Sequence, residues 1–231
     1  MDILLTNDDG IEAPGLEVLK RELAQSGRVI VVAPDSALSG CSHQVNTQRP
    51  IRVTRVGEDR YAIDGTPADC VRLGLSHLAP EADWVIAGIN LGGNLGVDIY
   101  LSGTVAAARE AALFGKPAIA FSHYRRKGIP IDWPTAGVMT ARVLKTLWSR
   151  DLQPGAFWNV NLPHLDRGDD LPEIVFCPLD HSQLPVDYEV RDWHFQYRGV
   201  YQQRDRMPGA DVDVCFSGGI GVTEVLPSGS R

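Results

Sequence analysis

Apolar and polar positions alternate in blocks along the first two-thirds of the chain, and each block carries the period of one kind of element. Short continuous apolar runs near 2–6, 28–33, 84–88 and 117–121 read as strands buried on both faces. Between them the apolar positions fall three or four residues apart. Leu16, Leu19 and Leu23 follow Ala13-Pro14-Gly15; Val71, Leu75 and Leu78 share one face of Ala68 to Leu78; Thr104 to Phe114 is rich in alanine; Val138, Ala141, Leu144 and Trp148 mark Thr135 to Trp148. Each predicts a helix. Alternating strands and helices predict an α/β fold, a parallel sheet with helices on both faces. Residues 51–55 and 60–63 predict a two-stranded excursion around Gly57-Glu58-Asp59.

Beyond Asp151 the pattern changes. Pro154, Pro163, Pro172, Pro178, Pro185 and Pro208 punctuate short extended pieces such as 158–162 and 173–176. This predicts strands and arms on a single domain spanning 1–231, not a second folding unit. Residues 178–208 mix Leu184, Val186, Tyr188, Trp193, Phe195, Tyr197 and Tyr201 with prolines and charges. Such a mixture suits an arm packed on a neighbouring subunit, or else a hairpin folded back over its own sheet.

Composition narrows the function. The 231 residues carry a formal net charge of -7 and are 44% hydrophobic, so neither a nucleic-acid polymer nor a membrane surface is an expected partner. No apolar run approaches the roughly 20 residues of a membrane span, and the N-terminus leads straight into a strand, which predicts a cytoplasmic protein. Cys41, Cys70, Cys177 and Cys215 form no CxxC pair, so neither zinc nor a redox motif is indicated.

The candidate chemistry lies in three loops that leave the same edge of the predicted sheet, where open α/β proteins bind ligands. The first is Asn7-Asp8-Asp9-Gly10, after the strand at 2–6. Two adjacent carboxylates repel, and a hard divalent cation with oxygen ligands holds both ionised; a plain helix cap is the alternative use of an Asp here. The second, Pro34 to His43, offers the hydroxyls of Ser39 and Ser42 beside Gly40. The third runs from Gly88 to Thr104, with Asn90, Asn94 and glycines at 88, 92, 93 and 96 before Ser102-Gly103-Thr104 opens a helix. Helix-terminal N–H groups behind a flexible loop make a phosphate cradle, although a helix cap also explains Ser-Gly-Thr. No GxxxxGK[ST] or GxGxxG element is present. An acidic pair, an amide and a hydroxyl around a cation, beside free N–H groups, suit metal-assisted phosphoryl hydrolysis. His43 is a candidate phosphate donor, with a structural role as its alternative. Thr66, Pro67 and Asp69 read as a helix start.

These residues also resemble a known family. Ile3 to Gly15 (ILLTNDDGIEAPG), Val32-Ala33-Pro34-Asp35 with Ser39-Gly40, Gly65 to Val71, and Gly88-Ile89-Asn90 through Ser102-Gly103-Thr104-Val105-Ala106-Ala107-Ala108 are similar to the stationary-phase survival proteins of the SurE family, which are divalent-metal-dependent 5'/3'-nucleotidases. The resemblance covers about the first 120 residues in order. It implies a Rossmann-like three-layer sandwich with a mostly parallel sheet and a C-terminal extended β arm exchanged between subunits of a homodimer or homotetramer. It implies nucleoside monophosphates as substrates and one Mg or Mn ion per subunit on Asp8, Asp9, Ser39 and Asn90. Asp8 and Asp9 are then the candidate catalytic residues, and Asn94, Ser102, Gly103, Thr104 and His43 the candidate phosphate contacts. Ala37-Leu38 departs from the arginine that often precedes the family's Ser-Gly, which bears on substrate preference. A polyphosphate or other small phosphoester hydrolase is an alternative on the same scaffold. A receiver-like phosphoacceptor module also needs a further aspartate and a lysine after later strands; the chain offers neither convincingly and is about twice too long.

Overall fold

A computed structural model describes residues 1–166 and 169–227. Nine strands form one sheet in the order β3-β4-β2-β1-β5-β6-β7-β11-β8. In chain order these are β1 (Asp2–Thr6), β2 (Arg28–Pro34), β3 (Val53–Gly57), β4 (Arg60–Ile63), β5 (Trp84–Leu91), β6 (Ala118–His123), β7 (Phe157–Leu162), β8 (Ile174–Phe176) and β11 (Ile220–Val225), while β9 (Tyr188–Arg191) and β10 (His194–Tyr197) pair as a separate hairpin. From β4 through β7 every neighbouring pair is parallel. The predicted excursion is the antiparallel β3–β4 pair, and β11 runs antiparallel to β7 but parallel to β8. The sheet is therefore α/β and mostly parallel.

Helices α1 (Pro14–Leu23) and α4 (Trp133–Leu147) pack on one face, and α2 (Pro67–Leu73) and α3 (Gly103–Leu113) on the other; α5 (Asp211–Phe216) is short and late. The central strands are buried on both faces because each face is covered. Ile3, Leu5 and Ile86 join the α1 and α4 layer, whereas Leu4, Val85 and Ala87 join the α2 and α3 layer. The alanines of α3 let that helix lie close to the sheet: Ala107, Ala108 and Ala111 are fully buried. The helix predicted over 68–78 ends its regular part at Leu73 and continues as a wider π turn over Gly74–Leu78. Among the described residues no helix is long and apolar enough to cross a membrane.

Candidate active site

Because β1, β2 and β5 are parallel neighbours, their carboxyl ends deliver three loops to one edge. The first is a turn closed by Asn7, whose Nδ2 donates to the Gly10 carbonyl at 2.8 Å. The Ile11 N–H fastens this turn to the end of β2 by donating to the Pro34 carbonyl at 2.8 Å. Asp8 is thereby held at 3% exposure, with Asp9 half-buried beside it. Burial pushes the Asp8 carboxyl up to about 6; the Thr104 hydroxyl opposes this and the Asp9 charge adds to it. Burial also raises Asp9, against the Leu91 N–H that donates to its Oδ2 at 2.8 Å.

Among the described residues no cationic side chain acts on either carboxylate. Two adjacent carboxylates removed from water without a counter-charge present the electrostatic condition that a divalent cation relieves. The neutral donors agree with that fit. Asn90 spends its Nδ2 on the Gly92 carbonyl at 2.8 Å, which leaves its Oδ1 as the coordinating end. Ser39 sits in an exposed loop stitched to the site on both sides, by Leu38 N–H to the Asp8 carbonyl at 2.8 Å and by Ser42 Oγ to the Tyr100 carbonyl at 2.6 Å. Among the described residues no cluster of three or more His, Cys, Asp and Glu is placed to hold a metal. An oxygen set of two carboxylates, an amide and a hydroxyl suits Mg or Mn rather than zinc.

The third loop is shaped by β5. Gly88 has φ +128°, and a Cβ there would lie 2.2 Å from the Phe121 carbonyl oxygen, so only glycine fits this close approach. Past it, Asn94 is woven into a buried amide cluster. Its N–H donates to Asn161 Oδ1 and its Nδ2 to Ser122 Oγ, both at 2.8 Å, while its carbonyl accepts from Asn159 and Asn161. Ser102 caps α3, its Oγ accepting the Val105 N–H at 3.0 Å. The N–H groups of Gly103 and Thr104 belong to the orphan donors of a first helical turn.

This helix start touches the acidic turn directly. Thr104 Oγ1 donates to Asp8 Oδ1, and a Cβ on Gly103 would stand 2.9 Å from Asp8 Cβ and 2.8 Å from Cys41 Sγ. Asp8, Asp9, Gly103 and Thr104 are thus brought together, with Asn90 near the end of β5 and Ser39 on a loop, both segments anchored to the same turn. His43 is engaged elsewhere: its Nε2 lies 2.6 Å from Glu110 Oε2 and its Nδ1 3.4 Å from Arg109. Glu110 also pairs with Arg72. The helix start read at Thr66 is a capping box, and its Asp69 further accepts the Asn46 N–H at 2.9 Å, which ties the 42–46 loop to α2.

Several supporting groups escaped the sequence reading. The Leu91 N–H on Asp9 is backbone, and no side-chain pattern announces it. Asn159 and Asn161, both buried, did carry a signal: two amides at i and i+2 in an otherwise apolar strand share one face and need a common partner.

The fold and this edge define a class, a Rossmann-like α/β protein with an acidic oxygen site set against a helix N-terminus. A family model described as survival protein SurE matches residues 3–184. The chain belongs to the SurE family. A protein of Synechocystis sp. is 54% identical over 225 residues, spanning 97% of this chain and 99% of its own length. A protein of Moorella thermoacetica named 5'-nucleotidase SurE is 42% identical over 236 residues, spanning 96% of this chain and 89% of its own. The crystal structure of the SurE protein from Aquifex aeolicus superposes with a TM-score of 0.86 at 31% identity, covering 100% of this chain and 95% of that one.

Proposed function

We propose that this protein is a phosphomonoesterase that hydrolyses nucleoside 5'-monophosphates, and also 3'-monophosphates, to nucleoside and phosphate with the help of one divalent cation per subunit. The observation that carries the reading is the contact between the two halves of the site: Gly103 and Thr104 of the α3 N-terminus pack on Asp8. N–H groups of the α3 start and buried carboxylates are thereby held within one ligand's reach, with Thr104 facing Asp8 through both its hydroxyl and its N–H. In this reading Asp8, Asp9, Ser39 and Asn90 hold the cation, Mg or Mn. When bound, it polarises a phosphate oxygen and lowers the pKa of a coordinated water. The protein's own part is to position. The N–H groups of Gly103 and Thr104, with Asn94, orient the phosphate oxygens and meet the charge that develops on them in the transition state. Ser102 contributes by capping, which fixes the direction of those N–H groups, and His43 by bracing the Ser39 loop through Glu110. The 178–208 region joins copies of the chain into a homodimer or homotetramer, and the enzyme works in the cytoplasm.

The test is phosphate release from AMP, with a panel of other mononucleotides, polyphosphate and sugar phosphates beside it. Chelation is expected to abolish release, and added Mg or Mn to restore it. Asp8→Asn and Asp9→Asn are expected to lower kcat at least a hundredfold while keeping the native circular dichroism spectrum. Unaltered turnover of either variant at limiting metal would remove the assignment.

A further inference from the structure

We propose that the cavity between Trp133, His123 and His164 receives the base of the nucleotide, and so sets the enzyme's preference for nucleotides over simpler phosphoesters. The proposal rests on the phosphomonoesterase reading above and names the part of the substrate that reading leaves unplaced. The cavity holds about 820 Å³, within the range typical of small-molecule sites. Its lining combines the apolar Trp133, Ile131 and Met139 with the two imidazoles and three aspartates. A flat base with a π face at every position stacks on such a wall without requiring a particular sequence of polar groups.

Two contacts join this cavity to the acidic turn. His123 ends β6 and bridges to Gly92, the residue after the Leu91 whose N–H holds Asp9. One strand spacing of about 4.8 Å separates Leu91 from His123, a step comparable to a ribose ring. On the other side Trp133 packs on Gly15, where a Cβ would stand 3.1 Å from the indole, and Gly15 opens the helix that follows Asp8 and Asp9.

The polar groups discriminate between the two ends of a nucleotide. Asp132 and Asp169 line the cavity, which disfavours a phosphate there and leaves the uncharged base as the end that enters. His123 Nδ1 lies 2.7 Å from the Tyr124 carbonyl; because a carbonyl only accepts, that nitrogen carries the proton and Nε2 is left as an acceptor. The ring edge of a base supplies donors in a single plane from which His123 Nε2 can accept.

The test compares AMP with ribose 5-phosphate, which lacks the base, using the full protein with Mg or Mn. Trp133→Ala is expected to raise the KM for AMP about tenfold and to leave kcat/KM for ribose 5-phosphate within twofold of wild type, whereas Trp133→Phe keeps most of the AMP affinity. Adenosine is expected to inhibit wild-type hydrolysis of ribose 5-phosphate and to lose about tenfold in Ki in Trp133→Ala. Should that variant fail to fold, Ile129→Trp, which narrows the cavity from an exposed position, carries the same expectation. Equal changes on both substrates, or an unchanged KM for AMP, overturn the pocket while the phosphomonoesterase reading stands. Hydrolysis of neither substrate by wild type overturns both.

Discussion

Asp8 and His123 are buried titratable groups one strand apart from β5 on either side, and they hold protons in opposite senses. Burial raises Asp8 from its ordinary 3.8 to about 6, so between those values the folded chain keeps a proton that the unfolded chain has released, and stability falls as pH rises. Burial lowers His123 from 6.5 to about 4; there the unfolded chain holds the extra proton, and stability falls as pH drops. Each effect is worth about 3 kcal/mol over its interval. Between pH 4 and 6 they oppose one another. In chelated protein the pH profile of the melting temperature across that window is therefore set by the difference of the two slopes, to which burial of Asp9 and of His164 adds in the same two senses. Asp8→Asn exposes the histidine slope, so the variant melts earlier as pH falls; His123→Asn exposes the carboxylate slope and does the reverse. Thermal unfolding at half-unit pH steps checks this, and level profiles in both variants would show that neither group is shifted. Of this pair only Asp8 was legible in the sequence, since an acidic dipeptide after a strand is a local pattern. His123 acquires its setting from β7 and α4, which no short stretch of residues announces.

At the scale of elements the sequence patterns identify strands and helices well, because apolar period and parallel pairing agree: β1, β2, β5 and α1 through α4 all coincide with predicted segments to within a few residues. What local patterns cannot carry is how the C-terminal third braces the phosphate loop. Arg204, its side chain fully buried, donates to Asp98 Oδ2 at 2.8 Å, and Tyr201 donates to the same carboxylate. Asp211 accepts the Gly96 N–H at 2.7 Å and the Asp180 N–H at 2.8 Å. These partners lie more than a hundred residues from the turn at Gly96–Tyr100 that leads into Ser102 and α3, or join it through Asp211, so only the folded sheet brings them there. Asp98→Asn leaves a buried guanidinium without its carboxylate and is expected to cost about 3 kcal/mol in urea unfolding, with much of that recovered by adding Arg204→Met. A single variant within about 0.5 kcal/mol of wild type would show that the pair is not a brace. Gly103 gives a second lesson at this scale. A side chain there would not weaken phosphate binding alone, because its Cβ would collide with Asp8, so both halves of the site are expected to suffer together.

For the whole molecule, the segment read as a single arm over 178–208 divides in two. Its ends are pinned to the body through Asp180 and Arg204, and only the β9–β10 hairpin between them is free of the main sheet. That hairpin carries Tyr188, Val190, Phe195 and Tyr197 half or more exposed, and Trp193 at its tip is 91% exposed. Asp192 and Trp193 both adopt positive φ, +47° and +61°, the geometry of a turn that favours Asn-Gly. A tryptophan in the second of those places is unfavourable locally, and among the described residues almost none of its surface is covered to offset that, which points to a use at a surface between chains. An apolar, aromatic ribbon of this kind fits the core of an interface between copies. The chain mass is 25.2 kDa, and light scattering at micromolar concentration is expected to give twice or four times that value. Replacing Trp193 and Phe195 together by serine removes the largest apolar surface without touching the Asp98–Arg204 brace, and is expected to shift the protein to monomer with its unfolding transition intact. A wild-type species at the single-chain mass would refute the interface, as would a double variant that keeps the wild-type assembly.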